Sequence, residues 1–460
     1  MSKASLILML SLVFATAPLG DRLRAESLSG ISSHSSAADM VGPQGALEHP
    51  QAFNRKIKPL VTGIDYHTRM IYIFDYSKDA VVIVNPLGIH GWPGDIPLQH
   101  TVVSADGKTL YVTTDNTPND PAYLITVRIK RINWKHRTAS LKVQKVAAFD
   151  EANTPAELPF VEAVNSVQAV PVWLQASGTQ IHGPTQLPYS DYIYFTSWTN
   201  DKVRVWNSRS KRFAKVDPIQ IPGYTEQTHG VVFNRSGTLA LGSGYFFDNN
   251  VIDLYKVDRR NGQLEPERNI KLGNEKDYAA FSHYVYWLDE RYAVTATMQL
   301  DKTSLTAPST DSVIPPSCWL IDAWEGTATQ MISATDDVDG EGIFLSASDL
   351  AVIGNKIYFA EEDTIDYKLG EHGYISVFDI SDIHDPQFIK RFKPDEELPE
   401  GFSVAHSLTP TPDNRYLMVA SWFSGYVIKI DTLTDTVVKV FGPEDGLVMP
   451  HGLYAAGNIR

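Results

Sequence analysis

Six of the 13 histidines occupy the same position in a repeated sequence pattern, and they are the residues best placed to do chemistry. Each begins a unit that continues with a short apolar run, a turn such as Ala-Asp-Gly, and a strand rich in Tyr and Val. Imidazole nitrogen is a common ligand for zinc, copper, iron and nickel, so convergence of these rings would create a transition-metal site. The six are His100, His182, His229, His283, His406 and His451.

The repeat predicts the element that must position these histidines, which is the innermost strand of a β-propeller blade. A seventh unit, beginning Asp349-Leu-Ala-Val-Ile-Gly, carries Asp in the His position. Successive units start 45 to 82 residues apart, mostly near the about 40–50 residues of known blade repeats. Period-two alternation and Asp/Gly turns indicate strands rather than helices. The sequence therefore predicts an all-β, seven-bladed β-propeller.

The two chain ends are predicted to share one blade. The last unit, beginning His451-Gly-Leu-Tyr, supplies only an innermost strand. Segments 69–74 and 80–84 supply strands that lack an innermost partner. Joining the two ends closes the ring and removes an open sheet edge that would invite aggregation.

The innermost strands of a propeller line its central channel, so residues that start them should meet at one channel mouth. A single blade-start histidine can instead cap a strand or bind a carbonyl, and duplicated blades can inherit a residue without using it. Six in one position favour a metal or catalytic ring. Six ligands exceed the four of a tetrahedral ion, which indicates a multinuclear site, and the affinity order favours copper. Asp349 is either a further ligand, a partner that orients an imidazole, or a turn residue.

Loops between the second and third strands of the blades are expected to surround the same mouth. Lys78, Lys202 and Lys302 in these loops are therefore candidates for holding a small anion, although solvated loop lysines are the commoner case. The other histidines fall outside the repeated position and are expected in loops or on the surface, with His67 the closest to a strand start. They are His34, His49, His67, His90, His136, His372 and His384.

Composition narrows the class of protein. The net charge of −14 and the lack of a Lys/Arg run argue against a nucleic-acid partner. The single cysteine, Cys318, permits neither an internal disulfide nor a Cys-rich metal centre. Residues 1–25, with an apolar run at 6–17, resemble an export signal, and no stretch is long enough to span a membrane. We expect a flexible segment at 26–55, the propeller at 56–460, and a periplasmic or secreted product, with homodimerisation left open.

The histidine-ringed propeller resembles the catalytic domain of nitrous oxide reductase and the related thiocyanate dehydrogenase, especially at Ala405-His406-Ser and Pro450-His451-Gly. This resemblance implies a histidine-bound copper cluster at the channel mouth. Nitrous oxide reductase also has a cupredoxin domain with paired cysteines and an adjacent His-His pair. This sequence has neither, so the resemblance is to the thiocyanate dehydrogenase type. That type implies oxidation of a small sulfur anion, electron transfer to an external carrier such as cytochrome c, and an acid or base, with Asp349 or Lys78 as candidates.

Three other interpretations remain open from the sequence. Selenium-binding proteins and methanethiol oxidases are copper-linked propellers, but their cysteine-containing motifs are missing here. Carotenoid oxygenases bind one iron with four propeller histidines, fewer than this chain offers. Surface-layer propellers resemble the chain in their Asp-Gly and Tyr-Val turns and act as binding or scaffold modules, which would hold no stoichiometric metal.

Overall fold

The protein folds almost entirely from short antiparallel strands. The computed structural model describes residues 57–115, 121–149, 181–197, 202–216, 228–244, 251–273, 282–297, 300–301, 313–314, 316–333, 347–362 and 373–457. Across these ranges no α-helix occurs, only the 3₁₀ turns Pro86–Gly88 and Pro443–Asp445. None of the described helical turns has the length or apolar character needed to cross a membrane.

Seven four-stranded antiparallel sheets form the blades, which we number by the chain order of their innermost strands. From the innermost strand outward, blade 1 contains Leu98–Val103, Thr109–Thr114, Tyr123–Asn133 and Thr138–Ala148; blade 2 contains Ile181–Gln186, Tyr192–Ser197, Lys202–Asn207 and Arg212–Phe213; blade 3 contains Thr228–Phe233, Leu239–Gly244, Val251–Asp258 and Gln263–Lys271; blade 4 contains Ser282–Trp287, Tyr292–Thr297, Ser317–Asp322 and Thr327–Ser333. Blade 5 contains Ala347–Ile353, Lys356–Glu362, Gly373–Asp379 and Gln387–Phe392; blade 6 contains Ala405–Pro410, Tyr416–Ser421, Tyr426–Asp431 and Thr436–Phe441; blade 7 contains Pro450–Ala455, Leu60–Asp65, Ile71–Asp75 and Ala80–Val84. Two further short strands are Leu300–Asp301 and Val313–Ile314.

The innermost strands contact one another in sequence around a closed ring, and the innermost strand of blade 7 contacts that of blade 1. This arrangement is a seven-bladed β-propeller, as the repeat predicted. The propeller belongs to a compact unit of residues 53–300 and 314–460. A second unit comprises residues 1–52 and 301–313, of which only Asp301 and Val313 are among the described residues.

The hydrophobic core lies between neighbouring blades because alternate side chains of each strand point to opposite faces of its sheet. Between blades 1 and 2, for example, Phe149 and Leu124 pack against Phe195 and Trp206, and all four are at most 2% exposed. Each blade thus buries both faces, which holds the seven innermost strands at fixed positions around the channel.

Blade 7 closes the ring from both chain regions, as predicted. Its innermost strand pairs with the second strand in the register Val61↔Ala455 and Ile64↔His451. Gly63 permits this close approach: a Cβ on Gly63 would lie 2.8 Å from Leu453 Cδ2 and 3.1 Å from the His451 carbonyl oxygen. The absence of a side chain at residue 63 therefore helps to position His451.

We expect Gly63→Ala to lower the free energy of unfolding by about 1–3 kcal/mol, because the added methyl overpacks the closing pair of strands. Gly88→Ala is the matched control, since its Cβ would meet nothing within 4 Å. Urea unfolding followed by circular dichroism measures both. Equal stability of the two variants would contradict the proposed close approach.

Candidate metal centre

Every innermost strand is irregular at the end where the repeated position lies. In four blades a single residue is left out of the pairing with the second strand: Gln99, His229, Ser348 and His406. In the other three the irregular stretch spans two residues: Gly183–Pro184, His283–Tyr284 and Gly452–Leu453. Bulges of this kind bend a strand and re-aim side chains, which is why they occur beside functional sites.

The register corrects the sequence alignment of two units by one residue. Gln99 and Ser348 lie at the bulge that His229 and His406 occupy, whereas His100 and Asp349 are the next, paired residues. The sequence pattern missed this shift because a bulge adds one residue without changing the apolar run that follows. Asp349 is thus not the positional equivalent of most of the histidines.

Five of the six predicted histidines nevertheless lie together at this channel mouth. Ring centroids are 4.0 Å apart for His229 and His283, 5.5 Å for His283 and His406, 4.8 Å for His406 and His451, and 5.3 Å for His451 and His100. We call these five residues the histidine cluster. The backbone of His182 lies at the same end of blade 2, and its side chain lies outside the described residues.

The histidine cluster is buried: each of its side chains is at most 6% exposed. Burial lowers the pKa of His100 to about 3, with a further lowering by the nearby His406. Burial is also the main cause that holds the pKa values of His229, His283 and His451 well below 6.5, and neighbouring imidazoles add to it. These four rings are therefore neutral at physiological pH, which is the state that binds metal ions.

Backbone groups of the next blade orient members of the cluster. His283 Nδ1 is hydrogen-bonded to the carbonyl oxygen of Ser348 in blade 5. A carbonyl at Nδ1 makes that nitrogen the donor and leaves Nε2 as the nitrogen with a lone pair. A hydrogen bond with the backbone of Gln99 similarly acts on His451, where it raises the pKa against the larger effect of burial. The two positions that lack histidine thus contribute main-chain groups to the histidines of the preceding blades.

Hydroxyl groups also fix the backbone of the cluster from the preceding blade. Thr196 Oγ1 in blade 2 donates to the His229 carbonyl over 2.6 Å, and Ser243 Oγ in blade 3 donates to the His283 carbonyl over 2.8 Å. Ser348 Oγ in blade 5 contacts the His406 carbonyl at 3.2 Å. These bonds run in one direction around the ring, from each blade to the next.

The Nε2 atoms of His406 and His451 lie 3.1 Å apart. Two nitrogens at this separation can share a metal ion at the usual Zn–N or Cu–N bond length of about 2.0–2.1 Å, with an angle between them of about 100°. Among the described residues, no group of three or more His, Cys, Asp or Glu has the spacing of a complete metal site. The described residues thus offer a pair of nitrogens with the spacing of two metal ligands, and not a complete site.

Aromatic side chains that the repeat did not single out cover the cluster. The Trp422 ring centroid lies 4.5 Å from that of His406, and the Tyr66 centroid lies 5.3 Å from that of His451. On the other side, Tyr284 lies 4.9 Å from His229. Trp422 and Tyr66 both follow the second strand of their blades, so the topology, rather than a motif, brings them to the mouth.

A buried polar chain adjoins the cluster at Gln99. Gln99 Nε2 donates to Tyr66 Oη over 2.8 Å and to Asp115 Oδ2 over 2.7 Å. Asp115 is 4% exposed, and burial raises its pKa well above the ordinary value despite the hydrogen bond from Gln99. The raised pKa favours a protonated carboxyl group beside the histidine cluster.

Asp349 links two innermost strands instead of facing the imidazoles as a ligand. Its carboxylate accepts the N–H of Leu350 over 2.8 Å and the N–H of Leu408 in blade 6 over 2.7 Å. Burial raises its pKa to about 7, while these two bonds and the nearby His406 lower it. Asp349 was expected to be a further ligand, a partner that orients an imidazole, or a turn residue; its contacts instead give it a strand-linking role.

Lys78 lies at the opposite end of blade 7, which corrects the expectation that it surrounds the histidines. The loop between the second and third strands of this blade is 66–70, whereas Lys78 follows the third strand. It is paired with Asp75 and lies over the Trp134 ring. Lys202 starts the third strand of blade 2 at the histidine end; its side chain and all of Lys302 lie outside the described residues.

Of the remaining histidines, His67, His90, His136 and His384 are described, and all four are exposed as expected. His67 lies in the 66–70 loop, where its backbone N–H donates to Asp65. His34, His49 and His372 lie outside the described residues.

We expect Gly452→Ala to destabilise the protein more than Gly354→Ala. Both glycines have nearly the same backbone conformation, with φ of +60° and +61°, so both variants carry the same strain of about 1 kcal/mol. A Cβ at residue 452 would also lie 2.5 Å from His100 Nδ1, whereas at 354 it would meet nothing within 4 Å. Thermal unfolding compares the two, and equal losses would argue against the contact with His100.

We expect the metal-free protein to lose stability as the pH falls from 6.5 towards 5. The folded-state pKa values of His100, His229, His283 and His451 lie below 6.5, so the unfolded state binds more protons in this window. Each such histidine contributes at most about 1.4 kcal/mol per pH unit. His229→Gln should reduce the slope of unfolding free energy against pH, while His384→Gln, at an exposed site, should not. Identical slopes would contradict the buried neutral state.

Comparison with known proteins supports the fold and gives no information about function. No family model matches the sequence, and no curated protein matches it. Similar solved structures include a functionally unknown protein from Desulfotomaculum acetoxidans (13% identity, TM-score 0.55, covering 86% of this chain and 98% of that one). A Lactobacillus plantarum protein (11%, 0.54, 88% and 98%) and the Pseudomonas aeruginosa periplasmic gluconolactonase PpgL (14%, 0.51, 86% and 98%) are also similar. At these identities the likeness shows a shared propeller fold alone.

Proposed function

We propose that this protein is a copper-dependent oxidoreductase that acts on a small inorganic anion at the channel mouth. The observation that carries the proposal is the histidine cluster, in which five buried rings converge and the Nε2 atoms of His406 and His451 lie 3.1 Å apart. Clusters of neutral imidazoles are costly to bury unless they are used, since each ring has polar nitrogens to satisfy. Metal binding would satisfy these nitrogens directly.

The donor set favours copper over hard cations. The cluster offers imidazole nitrogen only, because Cys318 is buried with its pKa raised to about 12 by burial, and it lies in the third strand of blade 4. Nitrogen ligands bind copper more tightly than the other divalent first-row metals. His406 and His451 would hold one ion, while His100, His229, His283 and His182 would supply ligands for further ions, so the site is proposed to be multinuclear.

The charge balance of the site favours an anionic substrate. The imidazoles of His100, His229, His283 and His451 are neutral, Asp349 is engaged by backbone N–H groups, and the raised pKa of Asp115 favours its protonated form. The positive charge of bound copper would therefore remain largely uncompensated by the described side chains around it, and a small anion such as thiocyanate would balance it. This agrees with the thiocyanate dehydrogenase resemblance of the sequence.

Copper would supply the redox chemistry by accepting electrons from the bound anion. The chain's own residues would keep the site enclosed and supply protons. Trp422 and Tyr66 pack over His406 and His451 and limit the access of water. Asp115 can hold a proton, and Gln99 connects it to the Tyr66 hydroxyl. Electrons would leave to an external acceptor such as cytochrome c, in a periplasmic or secreted setting.

The first test is elemental analysis of protein expressed in the periplasm with copper supplied. We expect at least two copper ions per chain, because the cluster has more ligands than one ion uses, and loss of most of this copper in His406→Ala/His451→Ala. The matched control is His90→Ala/His384→Ala, which removes two exposed histidines and should retain the metal. Copper-loaded protein should then reduce an artificial electron acceptor in the presence of thiocyanate.

A binding or scaffold module is the second candidate function. The observation that favours it is that no three potential ligands among the described residues have metal spacing. Failure of the protein to bind metal, together with unchanged stability of the His406→Ala/His451→Ala variant, would support this module and refute the copper enzyme. One iron per chain would instead indicate a mononuclear propeller oxygenase.

A further inference from the structure

A polar cavity lies between blades 1 and 2, away from the histidine cluster. Its volume is about 250 Å³, and its wall includes Asp106 and Lys108 from the turn between the first two strands of blade 1. Because the innermost strand of blade 1 starts near His100 and runs to this turn, the turn lies at the opposite end of the blade. Its wall also includes Thr126, Arg128, Trp206 and Lys211.

The cavity is positively charged in a protein whose net charge is −14. Lys108, Arg128 and Lys211 line it, against the single carboxylate of Asp106, which lies 3.7 Å from Lys108 Nζ. Arg128 and Lys211 form no ion pair with any described carboxylate. Lys211 Nζ donates a hydrogen bond to Gln144 Oε1 over 3.4 Å. Two of the three cations are thus available to an anionic ligand.

The wall also holds two buried donors without a hydrogen-bond partner. Trp206 and Thr126 are 0% and 2% exposed, and neither Trp206 Nε1 nor Thr126 Oγ1 is hydrogen-bonded. A buried polar group that makes no hydrogen bond lowers the stability of the fold. An anion that enters this cavity could accept hydrogen bonds from both groups.

We propose that this cavity binds a small oxyanion of charge −2, with the shared chemistry of phosphate and of a short dicarboxylate. Arg128 presents the planar fork that pairs with two oxygens, and Lys108 and Lys211 add charge. The indole N–H of Trp206 and the hydroxyl of Thr126 donate to the same anion from the buried wall. The ligand joins blades 1 and 2 and is independent of the metal centre.

The test is isothermal titration of the metal-free protein with inorganic phosphate and, separately, with succinate. We expect saturable binding at one site for at least one of them. Arg128→Ala and Lys211→Ala should each weaken binding about tenfold or more, because each removes a charge-assisted hydrogen bond to the anion. Lys135→Ala is the matched control: it removes an exposed cation from the outer hairpin of blade 1 and should not change the affinity.

A second measurement reports on the buried donors. In protein labelled with ¹⁵N-tryptophan, Trp206→Phe identifies the indole signal of Trp206, and this signal should shift in step with the titration. The His406→Ala/His451→Ala variant should bind the anion as the unmodified protein does, so failure of the metal proposal would leave this one standing. Absence of binding by both anions would overturn the proposal. So would an unmoved Trp206 signal, or an equal loss in Lys135→Ala.

Discussion

The bulge at the start of each innermost strand is the feature on which the channel mouth depends. In a regular ladder, alternate residues point to opposite faces of the sheet, and a histidine at the end of a blade would be directed into an interface between blades. A residue left out of the pairing escapes this alternation. His229 and His406 occupy such positions, and His283 belongs to a two-residue irregularity. Their convergence therefore follows from local backbone irregularity imposed on a rigid ring.

Closure of the ring by blade 7 is the second requirement for the histidine cluster, because it brings two regions that are distant in the sequence together. His451 and His100 belong to neighbouring innermost strands although they are 351 positions apart in the sequence. Gly63 and Gly452 make the contact possible, one by admitting Leu453 and the other by leaving space for the His100 ring. The cluster is complete only when both chain ends have joined the propeller. The histidine cluster therefore forms only when the whole propeller has folded.

Repeated patterns in the sequence were sufficient to predict the seven blades, the shared closing blade and the five described histidines that meet. They were insufficient wherever the outcome depended on one residue of register. Asp349 was expected at the repeated position but is a paired residue, and Gln99, which the sequence pattern did not single out, lies at the bulge. A bulge shifts the face of a side chain while leaving the surrounding apolar run intact, so the sequence did not reveal this. Lys78 was misplaced because segment 69–74 was expected to pair with the innermost strand of blade 7. In the structure Leu60–Asp65 takes that position and Ile71–Asp75 is the third strand, so the loop that contains Lys78 lies at the other end of the blade. Tyr66, Trp422 and Asp115 carry no repeat signal, and only the fold brings them to the cluster.

The hydroxyl and imidazole bonds between blades have a consequence for how such a protein can change. Thr196 and Ser243 each support the main chain of the following blade, and Ser348 Oγ does the same for His406. In the opposite direction, the Ser348 carbonyl orients the His283 ring of the preceding blade. Each blade therefore carries part of its neighbour's site as well as its own. Although the blades share a repeated sequence pattern, they are not interchangeable modules, because a blade moved to another position would bring its own histidine and the wrong support for the next. A substitution at the channel-mouth end of one of these blades would therefore disturb the histidine of its neighbour as well as its own.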